Sequence, residues 1–332
     1  MKIIDENVLL TISVAAYNVE KYIQRAIDSI IGCDCRNYIE MLIIDDGSKD
    51  NTSKIAREYS DRYSFIKLVS KENGGYGSTI NKALSLASGK YFKLLDGDDK
   101  FVTQNLFSYL TYLKKCESDL VISPYILYKE KLNEKTLVDR HNLDVDTKEL
   151  DSCNLLDIHM HELAVKTVIL KKHSVQITEK CFYTDCEFVF KSLLFANTIS
   201  KFNLPIYEYR IGIEGQSVSL SGRINHYKDS DLVVREMLSQ LAKYETRNVL
   251  QKSVHKCLEE MIITSSVFQY MNYLLIECNS QHKEELIDFD CYIRKMSKTI
   301  YKSVGKRSKV IRLMRLLHFN FLFIFHKRCM KG

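Results

Sequence analysis

Apolar positions follow two patterns over the first 125 residues. Short continuous apolar runs, typical of strands buried on both faces of a parallel sheet, alternate with segments that have apolar residues at helical spacing. The predicted strands span residues 8–15, 41–44, 65–69, 91–95 and 120–123. The predicted helices span residues 19–31, 77–88 and 106–116, and another starts near Thr52. Alternation with short connections predicts a doubly wound α/β sheet.

The pattern changes after about residue 125. Residues 127–150 are charged and weakly periodic, which favours a hairpin or an excursion from the sheet. A helix is predicted over 182–196, a strand over 206–211, and a mostly helical region over 226–302. We expect one domain over residues 1–222 and a helical C-terminal region over residues 223–332.

Three carboxylates follow the fourth predicted strand, in Asp96-Gly97-Asp98-Asp99. Ligands of doubly wound sheets bind beyond the carboxyl ends of the strands. Mg²⁺ and Mn²⁺ prefer carboxylate oxygens, and carboxylates packed together are unfavourable unless a cation neutralises them. The alternative interpretation is a solvated acidic turn or a helix N-cap.

Two further polar clusters lie at predicted strand ends. Asp45-Asp46-Gly47-Ser48 suits helix capping, but one cap does not need both carboxylates, and a strand-end carboxylate can bind a base N–H or a ribose hydroxyl. In Asn73-Gly74-Gly75-Tyr76-Gly77 the glycines allow close approach of a ligand, and the following helix start favours phosphate. No G-K-[ST] follows and the glycines do not follow the first strand, so this is neither a P-loop nor a dinucleotide fingerprint.

Four segments together resemble the inverting glycosyltransferases of family 2, which have the GT-A fold. They are ISVAAYNVEKY at 12–22, IIDDGSKDNT at 43–52, ENGG at 72–75 and LLDGDD at 94–99. Their order and spacing agree with the family over residues 8–125. The resemblance implies a mixed, mainly parallel sheet with helices on both faces. It also implies transfer of a sugar, with inversion, from a nucleotide-sugar donor to a carbohydrate or lipid-linked acceptor in bacterial surface polysaccharide synthesis, and it favours a UDP-sugar as the donor.

The resemblance implies roles for residues along the donor. Ala15 and Tyr17 would line the base pocket, and Asp45 or Asp46 would bind the base. Three further residues would lie along the nucleotide: Lys71, Gly74 and Gly75. The family often has proline where Ala15 stands, which leaves the nucleotide open.

At the acidic turn, the resemblance implies that Asp96 approaches the ribose. Asp98 would bind the cofactor, Mn²⁺ or Mg²⁺, and Asp99 would lie close to both. Ile80 stands where many members have arginine, and this departure leaves the sugar preference open.

An inverting transferase needs a base that deprotonates the acceptor hydroxyl. The family has an Asp near the start of a helix and followed by aromatic residues, and Tyr183-Thr184-Asp185-Cys186-Glu187-Phe188 fits this pattern. We assign Asp185 as the base, with Glu187 as the second candidate. The alternative for Asp185 is an N-cap.

Two other features carry weaker indications. His159 and His161 flank Met160 and could bind a metal, although acceptor contact or a plain surface position is favoured. Tyr209-Arg210 and Gly215-Gln216-Ser217-Val218 resemble the family's loop that closes over the pyrophosphate, which makes Arg210 a candidate phosphate contact.

Two other function classes compete with a transferase. A nucleotidyltransferase-like enzyme would want a Gly-rich loop with a basic residue directly after the first strand, where Ala16-Tyr17-Asn18 stands. A noncatalytic membrane-associated scaffold is disfavoured by the intact Asp96–Asp99 cluster, because unneeded carboxylates would cost stability.

Ten cysteines raise the question of disulfides. Cys33 and Cys35 are too close in sequence for a normal bridge, the others are scattered, and no C-x-x-C zinc pair occurs. These features favour reduced thiols in a cytosolic protein. The N-terminus has acidic residues and no long apolar run, so a signal peptide is not expected.

Charge is distributed unevenly along the chain. Asp290 is the last acidic residue, and twelve of the 48 basic residues follow it, so the remainder has 36 basic against 42 acidic residues. This distribution favours a local anchor for something anionic and does not favour nucleic-acid binding.

The basic tail also contains an apolar run over residues 316–325, broken by His318 and Asn320. The run is too short to cross a bilayer as a helix, but its basic flanks suit a helix in the membrane interface. We expect peripheral attachment to an anionic surface, the inner face of a bacterial cytoplasmic membrane. The alternative is a core helix packed on the body.

Overall fold

A computed structural model describes residues 8–143, 146–153, 158–213, 216, 217, 219–245, 252–277, 279–320, 322 and 326. The chain divides into two compact units, residues 1–213 and 214–332. The expected domain boundary after residue 222 stays a prediction.

Unit 1 contains all the strands of the described residues. They are β1 (Leu10–Ala16), β2 (Ile39–Asp45), β3 (Ile66–Ser70), β4 (Tyr91–Asp96), β5 (Lys100–Phe101), β6 (Leu120–Ile122), β7 (Tyr125–Lys129), β8 (Glu134–Val138), β9 (Lys148–Glu149), β10 (Leu163–Lys166), β11 (Thr198–Lys201) and β12 (Tyr207–Ile211). Its helices are α1 (Ile23–Ile31), α2 (Thr52–Arg62), α3 (Tyr76–Leu86), α4 (Thr103–Lys115), α5 (Thr167–Lys172) and α6 (Thr184–Phe195). The predicted strands and helices are all present, with shifted ends.

The main sheet has the strand order β3-β2-β1-β4-β10-β6-β11-β9. Strands β3, β2, β1 and β4 are parallel, whereas β10 runs antiparallel to both of its neighbours, β4 and β6. The sheet is therefore mixed, and the predicted fold class is confirmed. The apolar runs explain the parallel part, because Leu10, Ile12 and Val14 of the central β1 are fully buried.

The parallel register brings the carboxyl ends of three strands together. Ala16 of β1 pairs with Asp45 of β2, and Ala15 pairs with Asp96 of β4. Because β10 is antiparallel, its first residue rather than its last lies at this same edge of the sheet. Residues that precede Leu163 therefore meet the loop that follows β4.

A second, smaller sheet has the order β5-β12-β7-β8. Strands β7 and β8 form the hairpin that the charged segment after residue 125 favoured. Strand β12 pairs with β5, which begins one residue after Asp99. This pairing places β12 side chains beside the acidic turn.

Unit 2 is helical in its described residues. Its helices are α7 (Leu220–Asn225), α8 (Tyr227–Glu245), α9 (Lys252–Leu275), α10 (Ser280–Met296), α11 (Lys298–Arg307) and α12 (Lys309–Leu316). Arg315 donates to Asp290 Oδ1 at 2.6 Å, and Tyr270 donates to the same oxygen at 2.5 Å, which ties α12 to α9 and α10. Among the described residues, none of the helices has both the length and the apolar character needed to span a bilayer.

One pair of cysteines differs from the expected state of reduced thiols. Cys33 and Cys35 form a disulfide whose Cα atoms are 5.3 Å apart, a separation in the ordinary range. The prediction that these two residues are too close to bridge is therefore wrong. Cys116, Cys153 and Cys291 are among the cysteines that carry thiols.

Candidate active site

The acidic turn after β4 is held by hydroxyl and backbone donors. Tyr207 donates to Asp99 Oδ2 at 2.6 Å, and the Arg210 backbone N–H donates to Asp99 Oδ1 at 2.7 Å. Tyr76 donates to Asp96 Oδ1 at 2.6 Å. Asp99 is 1% exposed, while Asp96 and Asp98 are half-buried. The turn therefore presents fixed carboxylates at the carboxyl edge of the sheet.

Crowding and burial perturb these carboxyl groups. Burial raises the pKa of Asp96 to about 8, with a further contribution from the charges of Asp98 and Asp185. Burial, followed by the charges of Asp98 and Asp96, raises the pKa of Asp99 well above its usual range. Since a bound cation would offset both effects, the cluster has the electrostatics of a metal site.

His161 completes a group that could hold a cation. One carboxylate oxygen each of Asp96 and Asp99 and one ring nitrogen of His161 all lie within 4.8 Å of one another. His161 Nδ1 is buried and has no hydrogen-bond partner in the part of the chain that the structure describes. Burial lowers the pKa of His161 well below its usual value, and a neutral imidazole is the form that binds metals. The donor set fits Mn²⁺ or another divalent cation.

This group overlaps only in part with the predicted metal ligands, Asp98 and Asp99. Asp99 belongs to the group, and Asp96, which was expected at the ribose, is its second carboxylate. Asp98 lies outside the group, and its carbonyl oxygen accepts from Arg25 Nη2 at 2.9 Å. Asp98 as a metal ligand stays a prediction.

The glycine loop is held by Asp46. Its Oδ1 accepts from Lys71 Nζ at 2.7 Å and from the Gly74 N–H at 2.9 Å, and its Oδ2 accepts from the Gly75 N–H at 2.8 Å. Gly75 has a φ of +79°, which favours glycine, and it caps the start of α3. Lys71 also donates to Ser78 Oγ at 2.9 Å. The structure thus brings together four of the predicted nucleotide contacts.

The other predicted base-pocket residues surround the ends of β1 and β2. Asp45 is 3% exposed, and its Oδ1 accepts from the Ser48 N–H at 3.1 Å. Ala15 is half-buried and accepts from the Gly97 N–H at 3.0 Å, whereas Tyr17 is 49% exposed. An exposed aromatic ring beside a strand-end carboxylate can stack on a base.

Asp185 lies in the first turn of α6, after Tyr183 in the left-handed conformation. Burial raises the pKa of Asp185, and the nearby charge of His159 opposes this rise. Asp185 in turn contributes to the raised pKa of Asp96, so the two carboxyl groups interact electrostatically. A base with a raised pKa beside the acidic turn suits proton transfer.

Glu187 has different surroundings. It is fully buried, forms an ion pair with Lys191 at 2.6 Å, and accepts from the Thr178 N–H at 3.1 Å. These bonds tie α6 to the segment before it. Glu187 has the contacts of a structural residue, and its role as the second candidate base stays a prediction.

Arg210 contacts the acidic turn through its backbone N–H, which donates to Asp99. The guanidinium forms an ion pair with Glu130 at 3.2 Å and lies over the rings of Tyr22 and Tyr128. A contact between this side chain and a phosphate stays a prediction. Of the neighbouring loop, Gly215 and Val218 lie outside the described residues.

Sequence reasoning gave His161 only a weak indication of metal binding or acceptor contact, and it gave no role to several other residues around the turn. His161 is 7% exposed, so the favoured surface position is wrong for it. Its ring stacks on Tyr209 with 3.9 Å between centroids. Tyr207 and Tyr76 were missed, because only the fold brings their hydroxyls to Asp99 and Asp96. The fully buried Lys93 was missed because its bond to the His161 carbonyl oxygen depends on the placement of β10. The histidine pair was the one available signal.

The mixed α/β sheet with an acidic cluster at its carboxyl edge agrees with the GT-A fold that the sequence motifs implied. Residues 11–178, about half of the chain, match Glycosyl transferase family 2, and the chain belongs to that family. The predicted family is confirmed.

Relatives agree with this membership, and a solved structure has a similar fold. The uncharacterized glycosyltransferase MG025 homolog of Mycoplasma pneumoniae is 31% identical over 60% of this chain and 64% of its own length. The cholesterol galactosyltransferase of Borreliella burgdorferi is 30% identical over 54% of this chain and 55% of its own length. The chain therefore spans less than two thirds of these relatives. TarS 1–349 of S. aureus, in complex with UDP-GlcNAc, is 20% identical, with a TM-score of 0.66 over 88% of this chain and 83% of that chain; this similarity concerns the fold.

Proposed function

We propose that the protein transfers a sugar, with inversion and with a divalent cation, from a nucleotide-sugar donor to a saccharide or lipid-linked acceptor. The observation that carries the proposal is the acidic turn, where burial and neighbouring charge raise the pKa of Asp96 and Asp99 beside Asp185. Such a turn can bind a cation together with a diphosphate, and Asp185 can accept the proton of an acceptor hydroxyl.

The donor lies, in this proposal, along the carboxyl edge of the sheet. Asp45 or Asp46 binds the base beside Tyr17, and the glycine loop approaches the nucleotide with the N-terminus of α3. Both carboxylates are 3% exposed, but Asp46 already holds the loop through Lys71, Gly74 and Gly75, so Asp45 is the preferred candidate for the base. The TarS complex contains UDP-GlcNAc, which makes UDP-sugars the first donors to test.

In the proposed reaction, Asp185 accepts the proton of the acceptor hydroxyl. The hydroxyl oxygen forms a bond to the anomeric carbon while the bond from that carbon to the diphosphate oxygen breaks, and the nucleoside diphosphate leaves. Attack from the face opposite the leaving group inverts the anomeric centre. A bound Mn²⁺ or Mg²⁺ would neutralise the charge that develops on the diphosphate.

We infer that the C-terminal segment attaches the protein to an anionic membrane surface, at the inner face of the cytoplasmic membrane. In α12, Ile311 and Met314 are buried, while Arg312, Leu313 and Leu316 are exposed. Helix α12 thus combines a packed face, as the core-helix alternative requires, with an exposed basic and apolar face, as an interfacial helix requires. Most of the predicted apolar run after Asn320 lies outside the described residues.

Donor hydrolysis without an acceptor tests the central proposal. Purified protein is incubated with a panel of UDP-, GDP- and dTDP-sugars, with Mn²⁺ or with EDTA, and release of the nucleoside diphosphate is measured. We expect metal-dependent hydrolysis of a UDP-sugar and binding of UDP by calorimetry. Neither hydrolysis nor nucleotide binding with any member of the panel would contradict the proposal.

A further inference from the structure

His161 reaches the acidic turn through the reversed direction of β10. Strand β10 begins at Leu163, which pairs with Ile122, and Val165 pairs with Phe92 of the adjacent β4. Since β10 is antiparallel to β4, the residues just before Leu163 lie at the carboxyl edge, where β4 ends at Asp96. The fold thereby brings an imidazole to carboxylates that come 62 to 65 residues earlier.

The imidazole is fixed in this position. Lys93 of β4 is fully buried, and its Nζ donates to the His161 carbonyl oxygen at 2.8 Å and to the Leu163 carbonyl oxygen at 3.2 Å. The His161 ring stacks on Tyr209 and meets the edge of Tyr207, with 4.9 Å between centroids. Tyr207 also donates to Asp99, so one strand positions both the imidazole and the carboxylate.

One ring nitrogen of His161 takes no part in the hydrogen bonds that hold the described residues together. Buried imidazoles usually donate or accept a hydrogen bond, and a buried polar atom without one costs free energy. His161 is 93% buried, yet its Nδ1 has no partner among the described residues. One ring nitrogen lies within 4.8 Å of oxygens of Asp96 and Asp99, the spacing of atoms around one ion.

We propose that His161 is a protein ligand of the divalent cation, together with Asp96 and Asp99, and that it makes the site select Mn²⁺ over Mg²⁺. The proposal rests on the proposed function, which requires a cation but does not specify its ligands. Imidazole nitrogen suits transition metals, whereas Mg²⁺ prefers an all-oxygen shell with several waters. Replacing one oxygen by nitrogen therefore shifts the preference towards Mn²⁺.

Pulsed electron paramagnetic resonance of the Mn²⁺ complex tests this ligand directly. The full chain is loaded with Mn²⁺ in the presence of UDP, and electron spin echo envelope modulation is recorded. We expect modulation from a directly bound imidazole ¹⁴N, which changes to the ¹⁵N pattern when histidine is labelled. Wild-type protein that binds Mn²⁺ without any histidine modulation would overturn the proposal.

The variant His161→Phe removes the nitrogens and keeps an aromatic ring over Tyr209. We expect the nitrogen modulation to disappear and Mn²⁺ affinity to fall at least about tenfold. Mg²⁺ affinity, measured by competition with Mn²⁺, should fall less. The variant should therefore prefer Mn²⁺ over Mg²⁺ less strongly than the wild type does. His173→Phe is the matched control, since His173 is exposed and stacks on Phe195, and it should keep both the modulation and the affinity.

The outcomes separate this proposal from the proposed function. If transfer requires a cation but His161→Phe keeps the wild-type Mn²⁺ affinity, the assignment of His161 as a ligand is wrong. The proposed transferase activity is not affected by that result. Histidine modulation in a protein that hydrolyses and binds no nucleotide sugar would support the ligand assignment and contradict the transferase. If His161→Phe does not fold, the modulation of labelled wild-type protein still decides.

Discussion

The Tyr207 hydroxyl donates a 2.6 Å hydrogen bond to Oδ2 of Asp99, although the two residues are 108 positions apart in the chain. The same hydroxyl oxygen accepts the backbone N–H of Asp96 at 3.1 Å. One phenol therefore fixes both the side chain of one carboxylate and the backbone of the other. This bond exists because β12 pairs with β5, which follows the acidic turn.

We expect Tyr207→Phe to weaken Mn²⁺ binding about tenfold or more, because a partner that orients a metal ligand is lost. The fold should persist, since the buried ring is kept. Calorimetric titration with Mn²⁺ measures the affinity, and circular dichroism checks the fold. Tyr125→Phe is the control, because the Tyr125 hydroxyl bonds Arg140 instead. Equal Mn²⁺ affinity in the two variants would argue against the orienting role.

We expect Asp98→Asn to leave the fold intact and to lower transfer by orders of magnitude, because several kcal/mol of transition-state stabilisation would be lost with a metal ligand. Turnover is measured with and without added Mn²⁺, alongside thermal unfolding. Near-normal turnover would show that Asp98 is not a metal ligand, and Asp96, Asp99 and His161 would stay as the candidate ligands.

We expect Asp185→Asn to keep donor binding and to lower transfer about 10²- to 10⁴-fold, the range for loss of a general base. UDP binding and single-turnover transfer are compared in the same preparation. Glu187→Gln is the companion variant, and we expect it to lower stability through its lost ion pair with Lys191. A parallel fall of UDP binding and transfer in Asp185→Asn would place Asp185 at the donor or in the fold.

The rate of transfer should depend on pH through Asp185. The base acts only when deprotonated, and burial raises its pKa, so activity should be lost as the pH falls through a value above the 3.8 of an ordinary Asp. The charge of His159 lowers the pKa of Asp185, so His159→Ala should move this acid limb to higher pH. The pH profile of kcat at saturating Mn²⁺ measures both. If the acid limb of the pH profile has the same position in His159→Ala, the limb does not report the ionisation of Asp185.

Charge reversal on α12 tests membrane attachment better than truncation does. Removing α12 would also remove the buried Ile311 and the ion pair between Arg315 and Asp290. We expect Lys309→Glu with Arg312→Glu, both exposed, to reduce flotation with anionic vesicles, at about 1 kcal/mol for each basic residue lost near the surface. Cell fractionation should show the same loss.

Lys252→Glu with Lys256→Glu, exposed residues of α9, is the matched control and should float as the wild type does. If the full-length protein does not float with anionic vesicles, the proposed membrane attachment is wrong.

The sequence by itself determined the parallel part of the sheet and the residues at its edge. Continuous apolar runs over β1, β2 and β4 specify strands buried on both faces, and each run ends at the residue where polar side chains begin. Asp45, Asp46, Asp96 and Asp99 could be located in this way because a strand fixes the position of its own end. Asp185 depended on the resemblance to the family, since its helix start is an ordinary one.

Only the tertiary structure decided which side chains meet these carboxylates. His161 lies at the edge because β10 is inserted antiparallel between β4 and β6, and a four-residue strand carries too little pattern to reveal its direction. Tyr207 reaches Asp99 through a two-residue partner strand, β5, which no periodicity could detect. Cys33 and Cys35 bridge because the local backbone holds their Cα atoms 5.3 Å apart, a distance that sequence spacing does not fix. Local patterns encode where a strand ends, whereas long-range pairing decides what that end contacts.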